Sequence, residues 1–161
     1  MSRLVSLLLL TLFLVGCGLA PQPARPVINQ TADTAKLSQR TLVVGTSELT
    51  VEVANTDEAR SQGLSDRPSL AANEGMLFVF DQSGKYGFWM NRMNFPLDFI
   101  WLYQSKVVEV TANIPNPSPA IPKPVTVTPA QAVDAVIEVN AGWVAEHEID
   151  VGVGVKGLTG W

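Results

Sequence analysis

One cysteine and one histidine are all this 161-residue chain holds of thiol and imidazole chemistry. Cys17 has no second thiol to bridge with, so no internal disulfide can form. A lone His147 without a spare cysteine removes the usual zinc sites and a Cys/His nucleophile. It lies between Glu146 and Glu148 and reads as a solvated side chain. A G-x-S-x-G elbow and a glycine-rich phosphate loop are also missing, so serine-hydrolase and nucleotide chemistry lack their starting residues. No metal and no cofactor is expected. Basic residues are scarce as well: 11 Lys and Arg stand against 15 Asp and Glu, a net charge of −4. Nucleic acid and anionic lipid headgroups, which are gripped by clustered cations, are therefore excluded as partners. No apolar run reaches the about 20 residues needed to span a bilayer.

What the chain does have begins with Leu4 to Val15, a short apolar run behind the cationic Arg3 that ends in Leu14-Val15-Gly16-Cys17. A charged start, a short apolar stretch and small residues before a cut are the parts of an export signal. The cysteine after Gly16 resembles the lipobox of bacterial lipoproteins. That resemblance implies cleavage before Cys17, lipid on its thiol and new amino terminus, and a mature protein held to a membrane through Cys17. The bland alternative is an ordinary signal peptide with a chance cysteine. Gly18, where an aspartate would retain a protein at the inner membrane, is similar to the pattern of outer-membrane lipoproteins facing the periplasm in a Gram-negative envelope. Loss of residues 1–16 removes Arg3 and leaves ten basic against fifteen acidic residues, a net of −5.

Three segments follow from composition: a signal over 1–16, an acylated cysteine and flexible tether over 17–40, and one domain over 41–161. The tether is rich in Pro, Gln, Ala, Thr and Ser, and buries too little apolar surface to order itself. Within the domain, Thr41 to Val44 and Leu49 to Ala54 flank a Gly45-Thr46-Ser47 turn, and Leu49, Val51 and Val53 alternate with polar residues as in a half-buried strand. Asn55 as cap, Glu58 three residues on and Gly63 at the end predict a helix of about two turns. Met76 to Phe80 and Tyr86 to Met90 read as a hairpin across Asp81 to Lys85, and Leu97 to Tyr103 with Val107 to Ala112 as a second across Gln104-Ser105-Lys106. Six of the eleven prolines fall between Asn113 and Pro129 and predict a long surface loop or edge segment. Val133 to Val139 restores a strand, Ala141 to Ile149 a short helix, and Val151 to Val155 a last strand. Many short strands with two small helices predict an all-β fold, an antiparallel sandwich or barrel.

The blocks Gly63-Leu64-Ser65-Asp66-Arg67, Gly75 to Phe80, Phe88-Trp89-Met90, Pro96-Leu97-Asp98 and Glu138-Val139-Asn140-Ala141-Gly142 stand in an order that resembles the Domain of Unknown Function 192 family, over roughly Leu49 to Val155. The resemblance implies a single β-sandwich domain of jelly-roll type with no established activity. Two departures stand out: Asn91-Arg92-Met93 where many relatives have Lys-Asn-Thr, and Val151-Gly152-Val153 where they have Val-Gly-Asp.

The strand Leu97 to Tyr103 is apolar on both faces except for Asp98, which shares a face with Ile100 and Leu102. A buried carboxylate there needs a cationic or amide partner, and Arg67 and Arg92 are the candidates. Such a pair would fix the fold. Alternatively Arg67, Asn91, Asp98 and Glu138 line a cleft walled by Trp89 and Met90, as ligand sites usually combine apolar walls with a few polar groups. Glu138 alternates with Val136 and Asn140 away from Ile137 and Val139, which predicts a solvent-facing side chain. Had it met Asp98, the two could serve as acid and base or hold a hard cation.

Three functions are compatible with these residues. The first is a non-catalytic envelope module that binds a small ligand, a glycan or an envelope protein near Trp89, Asn91, Arg92 and Asp98. The second is a hydrolase or lyase acting on envelope carbohydrate or peptide, with Asp98 and Glu138 as catalytic carboxylates about 5 to 10 Å apart. The third is an assembly or stability factor without a pocket.

Overall fold

The structure, a computed structural model, describes residues 37–158. The expected export signal, most of the expected tether and Trp161 lie outside the described residues. Strand β1 (Gln39–Val44) turns at Gly45-Thr46 into β2 (Ser47–Ala54), pairing Val44 with Ser47. Helix α1 (Asp57–Gln62) follows, but its cap is Thr56 and not Asn55: the Thr56 hydroxyl accepts from the Ala59 amide at 3.2 Å. Gly63 ends it at φ 51°, ψ −136°, a backbone region that a side chain opposes.

The remaining elements are β3 (Glu74–Gly84), β4 (Phe88–Trp89), β5 (Leu97–Tyr103), β6 (Lys106–Ile114), β7 (Thr126–Val127), β8 (Val133–Asn140), α2 (Trp143–Glu146) and β9 (Val155–Lys156). Seven strands form one sheet in the order β6-β5-β8-β3-β2-β1-β9, and β4 pairs with β7 in a separate ribbon. The fold is all-β with two short helices, as expected.

Two pairings differ from the sequence-based layout. Strands β2 and β3 are parallel, with Val51 beside Gly75 and Val53 beside Leu77. The segment carrying α1 makes this possible, because a parallel neighbour needs a long crossover where an antiparallel one needs only a turn. The sheet is therefore mixed. Nor do Met76–Phe80 and Tyr86–Met90 form a hairpin: β3 continues to Gly84, and Phe88 and Trp89 pair with Val127 and Thr126 of the proline-rich segment. That segment thus supplies a short edge strand.

The two edges of the large sheet meet. Lys106 bridges to Gly154, the Val107 amide donates to the Val153 carbonyl at 2.9 Å, and the Gly152 amide to the Val107 carbonyl at 2.8 Å. Strands spaced about 4.8 Å apart could not gather side chains from all seven into one cluster if the sheet were flat. Yet Leu42, Val51, Leu77, Ile137, Ile100, Val107 and Val155 do share one cluster, joined by Trp143 and Val144 of α2. The sheet curls around this core. Its outer face carries a second cluster: Met76, Phe78, Val136, Phe99 and Trp101 from the strands, covered by Leu64, Phe88, Met90 and Met93.

Candidate functional site

The second cluster is incompletely covered, and its gap is a cleft of about 680 Å³. Alternation places Glu138 there. On β8 it faces the same side as Val136, with Met76 opposite on β3 and Phe99 opposite on β5. Both neighbours are fully buried, and Glu138 itself is only 6 % exposed. The sequence reading of a solvent-facing Glu138 is therefore corrected. Alternation gave the right face, but α1 and the Tyr86–Trp89 segment cover it. Among the described residues nothing donates a hydrogen bond to its carboxyl. Burial pushes its pKa from 4.5 up to about 8, so the side chain is protonated in neutral water.

Aromatic rings wall the cleft. Phe78 and Phe88 meet edge to face at 4.8 Å, and Phe80 stacks on Tyr86 at 3.6 Å with 7° between planes. Trp89 lines the opening and is 60 % exposed. Arg60 of α1 is held across the rim: it donates to the Val79 carbonyl at 2.8 Å, pairs with Asp57 at 2.7 Å, and lies 5.5 Å from the Phe80 ring centre. The Gly63 backbone packs under this wall, where an added Cβ would stand 3.4 Å from Phe78. Gly75 is needed for the floor, since a Cβ there would meet the Glu138 carbonyl at 2.7 Å.

Asp98 lies elsewhere. It is fully buried on the opposite face of the sheet, and its partners are backbone amides: Asn113 at 2.7 Å, Gly142 at 2.9 Å and Val144 at 3.1 Å. Helix α2 has no side-chain cap of its own, and Asp98 supplies one from β5. The expected arginine partners are thus replaced by amides, which meet the same electrostatic need. Arg67 instead forms a two-pronged pair with Glu52 at 2.7 Å and 2.7 Å, which raises the Arg67 pKa and fastens the segment after α1 to β2. Arg92 pairs with Asp66 on the surface, at 3.0 Å and 2.9 Å. Because Asp98 and Glu138 point to opposite faces, they do not form the carboxylate pair that an enzyme or a hard-cation site would use.

Of the other candidates, Met90 is buried in the outer cluster, and the Asn91 carbonyl accepts from Ser65 Oγ at 2.9 Å. With the Asp66 amide donating to the Arg92 carbonyl, these contacts dock the Gly63–Arg67 block on the Trp89–Asn94 block. The structure brings Trp89 and Glu138 together at the cleft and leaves Arg67, Met90, Arg92 and Asp98 as scaffold. The sequence reading missed Arg60, Phe78, Phe80, Tyr86 and Phe88 as cleft residues. Phe78 and Phe80 share one face of β3 by alternation, but nothing in the sequence marks that face as a cleft.

The model of the DUF192 family, "Uncharacterized ACR", matches residues 40–157. No functionally curated protein matches the chain. A crystal structure of a protein of unknown function from Novosphingobium aromaticivorans DSM 12444 is similar at 26 % identity and a TM-score of 0.67, covering 86 % of this chain and 94 % of that one. A second, named as a candidate transcription regulator from Sinorhizobium meliloti 1021, is similar at 27 % identity and a TM-score of 0.64, covering 72 % of this chain and 89 % of that one.

Proposed function

The chain belongs to the DUF192 family, and we propose that it is an exported, lipid-anchored envelope module that binds a small ligand in the Glu138 cleft without transforming it. The observation that carries this reading is a buried, partnerless carboxyl on the floor of an aromatic-walled cavity of about 680 Å³. That volume suits a small molecule, and the cleft combines an aromatic wall with a polar rim. A burial-shifted acid in a cleft is a frequent mark of function. Catalysis is the weaker reading, because the second carboxylate it requires is not supplied by Asp98. A pocketless assembly factor leaves the cleft without a purpose.

Anchoring rests on the Leu14-Val15-Gly16-Cys17 junction. Attachment through lipid would put the domain on a membrane surface, outer and periplasmic if the envelope is Gram-negative. Transcriptional regulation, the description given to the Sinorhizobium protein, is disfavoured by the net charge of −4.

Thermal-shift screening of the mature protein against amines, sugars, peptides and carboxylic acids tests the binding half. At least one class is expected to raise the melting temperature of wild type, and Glu138→Gln is expected to remove that rise and Trp89→Ala to reduce it. A full panel that stabilises nothing, or stabilises the variants equally, sinks the cleft as a ligand site. Intact mass of the membrane-extracted protein tests the other half: a chain starting at Cys17 with added acyl groups is expected. A bare thiol overturns the anchor.

A further inference from the structure

We propose that the Glu138 cleft is a receptor for a small organic cation, an ammonium head group received by the ionised Glu138 carboxylate and by the surrounding ring faces. This deepens the proposed function and rests on the cleft being a ligand site.

The floor supplies the first argument. Glu138 lines the cleft, is more than nine-tenths buried, and accepts no hydrogen bond from any described residue. Flanked by Met76 and Phe99, its ionised form has no partner within the described residues and gains one only if a donor or cation arrives from the cleft side.

The walls supply the second. Phe78, Tyr86, Phe88 and Trp89 line the same cleft as that carboxyl, with Phe80 already stacked on Tyr86 and beneath Arg60. Aromatic faces carry negative potential and attract ammonium groups that come within about 6 Å.

The rim charges supply the third. Asp57 and Arg60 neutralise each other in their ion pair, and Arg60 is further committed to the Val79 carbonyl. That leaves Asp81 on β3 and, once ionised, Glu138 on β8 as the net charge of the lining, with Tyr86 the remaining titratable side chain. An anion would meet this acidic excess with no free cation among the described lining residues. A cation complements it.

The proton follows from the same geometry. Near pH 7 the acid, with its pKa of about 8, is mostly protonated, and a bound cation displaces that proton to the buffer. A neutral hydroxylated ligand would leave it in place.

Isothermal titration of the mature protein separates the two. The probes are choline, n-butylammonium and 3,3-dimethylbutan-1-ol, the uncharged isostere of choline. Both cations are expected to bind with release of close to one proton at pH 7, read from enthalpies in two buffers of different ionisation heat. Their affinity should rise nearly tenfold per pH unit between pH 6 and 7 and level off above about pH 8. Glu138→Gln should weaken both at least tenfold and abolish the release, and the isostere should bind wild type at least tenfold more weakly than choline. Trp89→Ala, an exposed change that leaves the core intact, should weaken the cations severalfold and keeps the test decisive if Glu138→Gln fails to fold. Equal binding of choline and its isostere, binding without proton release, or no binding of either cation at millimolar concentration overturns the inference. The broader ligand reading falls only if the whole thermal-shift panel fails too.

Discussion

A carboxyl raised from 4.5 to about 8 by burial holds its proton more tightly in the folded chain than in the unfolded one. Its contribution to stability is therefore fully present below about pH 4.5 and is lost as pH rises through about 8. At about 1.4 kcal/mol per pKa unit, the loss is on the order of 5 kcal/mol. Asp57, Arg60, Asp81 and Tyr86 share the cleft, but burial is the only cause of the shift, so the effect belongs to Glu138. Glu138→Gln removes the titrating group while keeping its shape. Urea unfolding of the two proteins should show the variant gaining several kcal/mol on wild type between pH 5 and pH 9. A constant difference across that range would mean that the carboxyl is solvated and not buried. Asp98 shows the contrasting solution for a buried acid. With three amide donors it is satisfied by backbone, and the sequence could state its need for a partner but not that the partners lie at Asn113, Gly142 and Val144.

Elements whose pairing is local were legible in the sequence, and those whose pairing is distant were not. The β5–β6 hairpin follows from alternation on either side of a short polar turn, and Tyr103 does pair with Lys106 across Gln104-Ser105. The partner of β4, by contrast, lies in a proline-rich stretch that propensity assigns to loop, and the β2–β3 pair depends on where a crossover lands. Local turn signals carry no information on either. The same limit explains the site. Glu138 stood out by residue type, yet its cover comes from α1 and from the strap between Tyr86 and Met93, remote in sequence. The β5–β6 turn also makes a prediction of its own. Gln104 and Ser105 sit at φ 50° and 61°, a left-handed pair that suits Asn-Gly and disfavours longer or branched side chains. The Gln104 backbone amide donates to the Asp134 carboxylate at 2.8 Å and the Ser105 carbonyl accepts from the Val155 amide at 2.9 Å, both backbone contacts that side-chain changes leave in place. The double change Gln104→Asn, Ser105→Gly should stabilise the protein by about 1 kcal/mol, since it relieves two strained residues. Thermal unfolding checks this, and a lower melting temperature would show that the Gln104 or Ser105 side chain makes a contribution larger than the strain.

At the scale of the whole domain, the curled sheet depends on a closure made by very little chain. Strand β9 has two residues, and Gly154 with the Gly152–Val153 turn provides the bonds to Lys106 and Val107 on the far edge. Without that seam, β9 and β6 would present unpaired edges, the usual template for aggregation. Two glycines separate the terms. Gly152 lies at φ 95° with nothing within 4 Å of an added Cβ, so Gly152→Ala introduces only backbone strain. Gly157 lies at φ 92°, and its Cβ would stand 2.8 Å from the Thr41 carbonyl and 3.2 Å from Leu42, so Gly157→Ala adds a collision that pushes β9 off β1. The first should cost about 1 kcal/mol and the second roughly 1 to 3 kcal/mol more. Hydrogen exchange should accelerate at Val107 and Val155 in Gly157→Ala and stay near wild type in Gly152→Ala. If the two variants unfold alike and exchange alike, the seam is not what holds the sheet closed, and the curl must be maintained by the inner side chains alone.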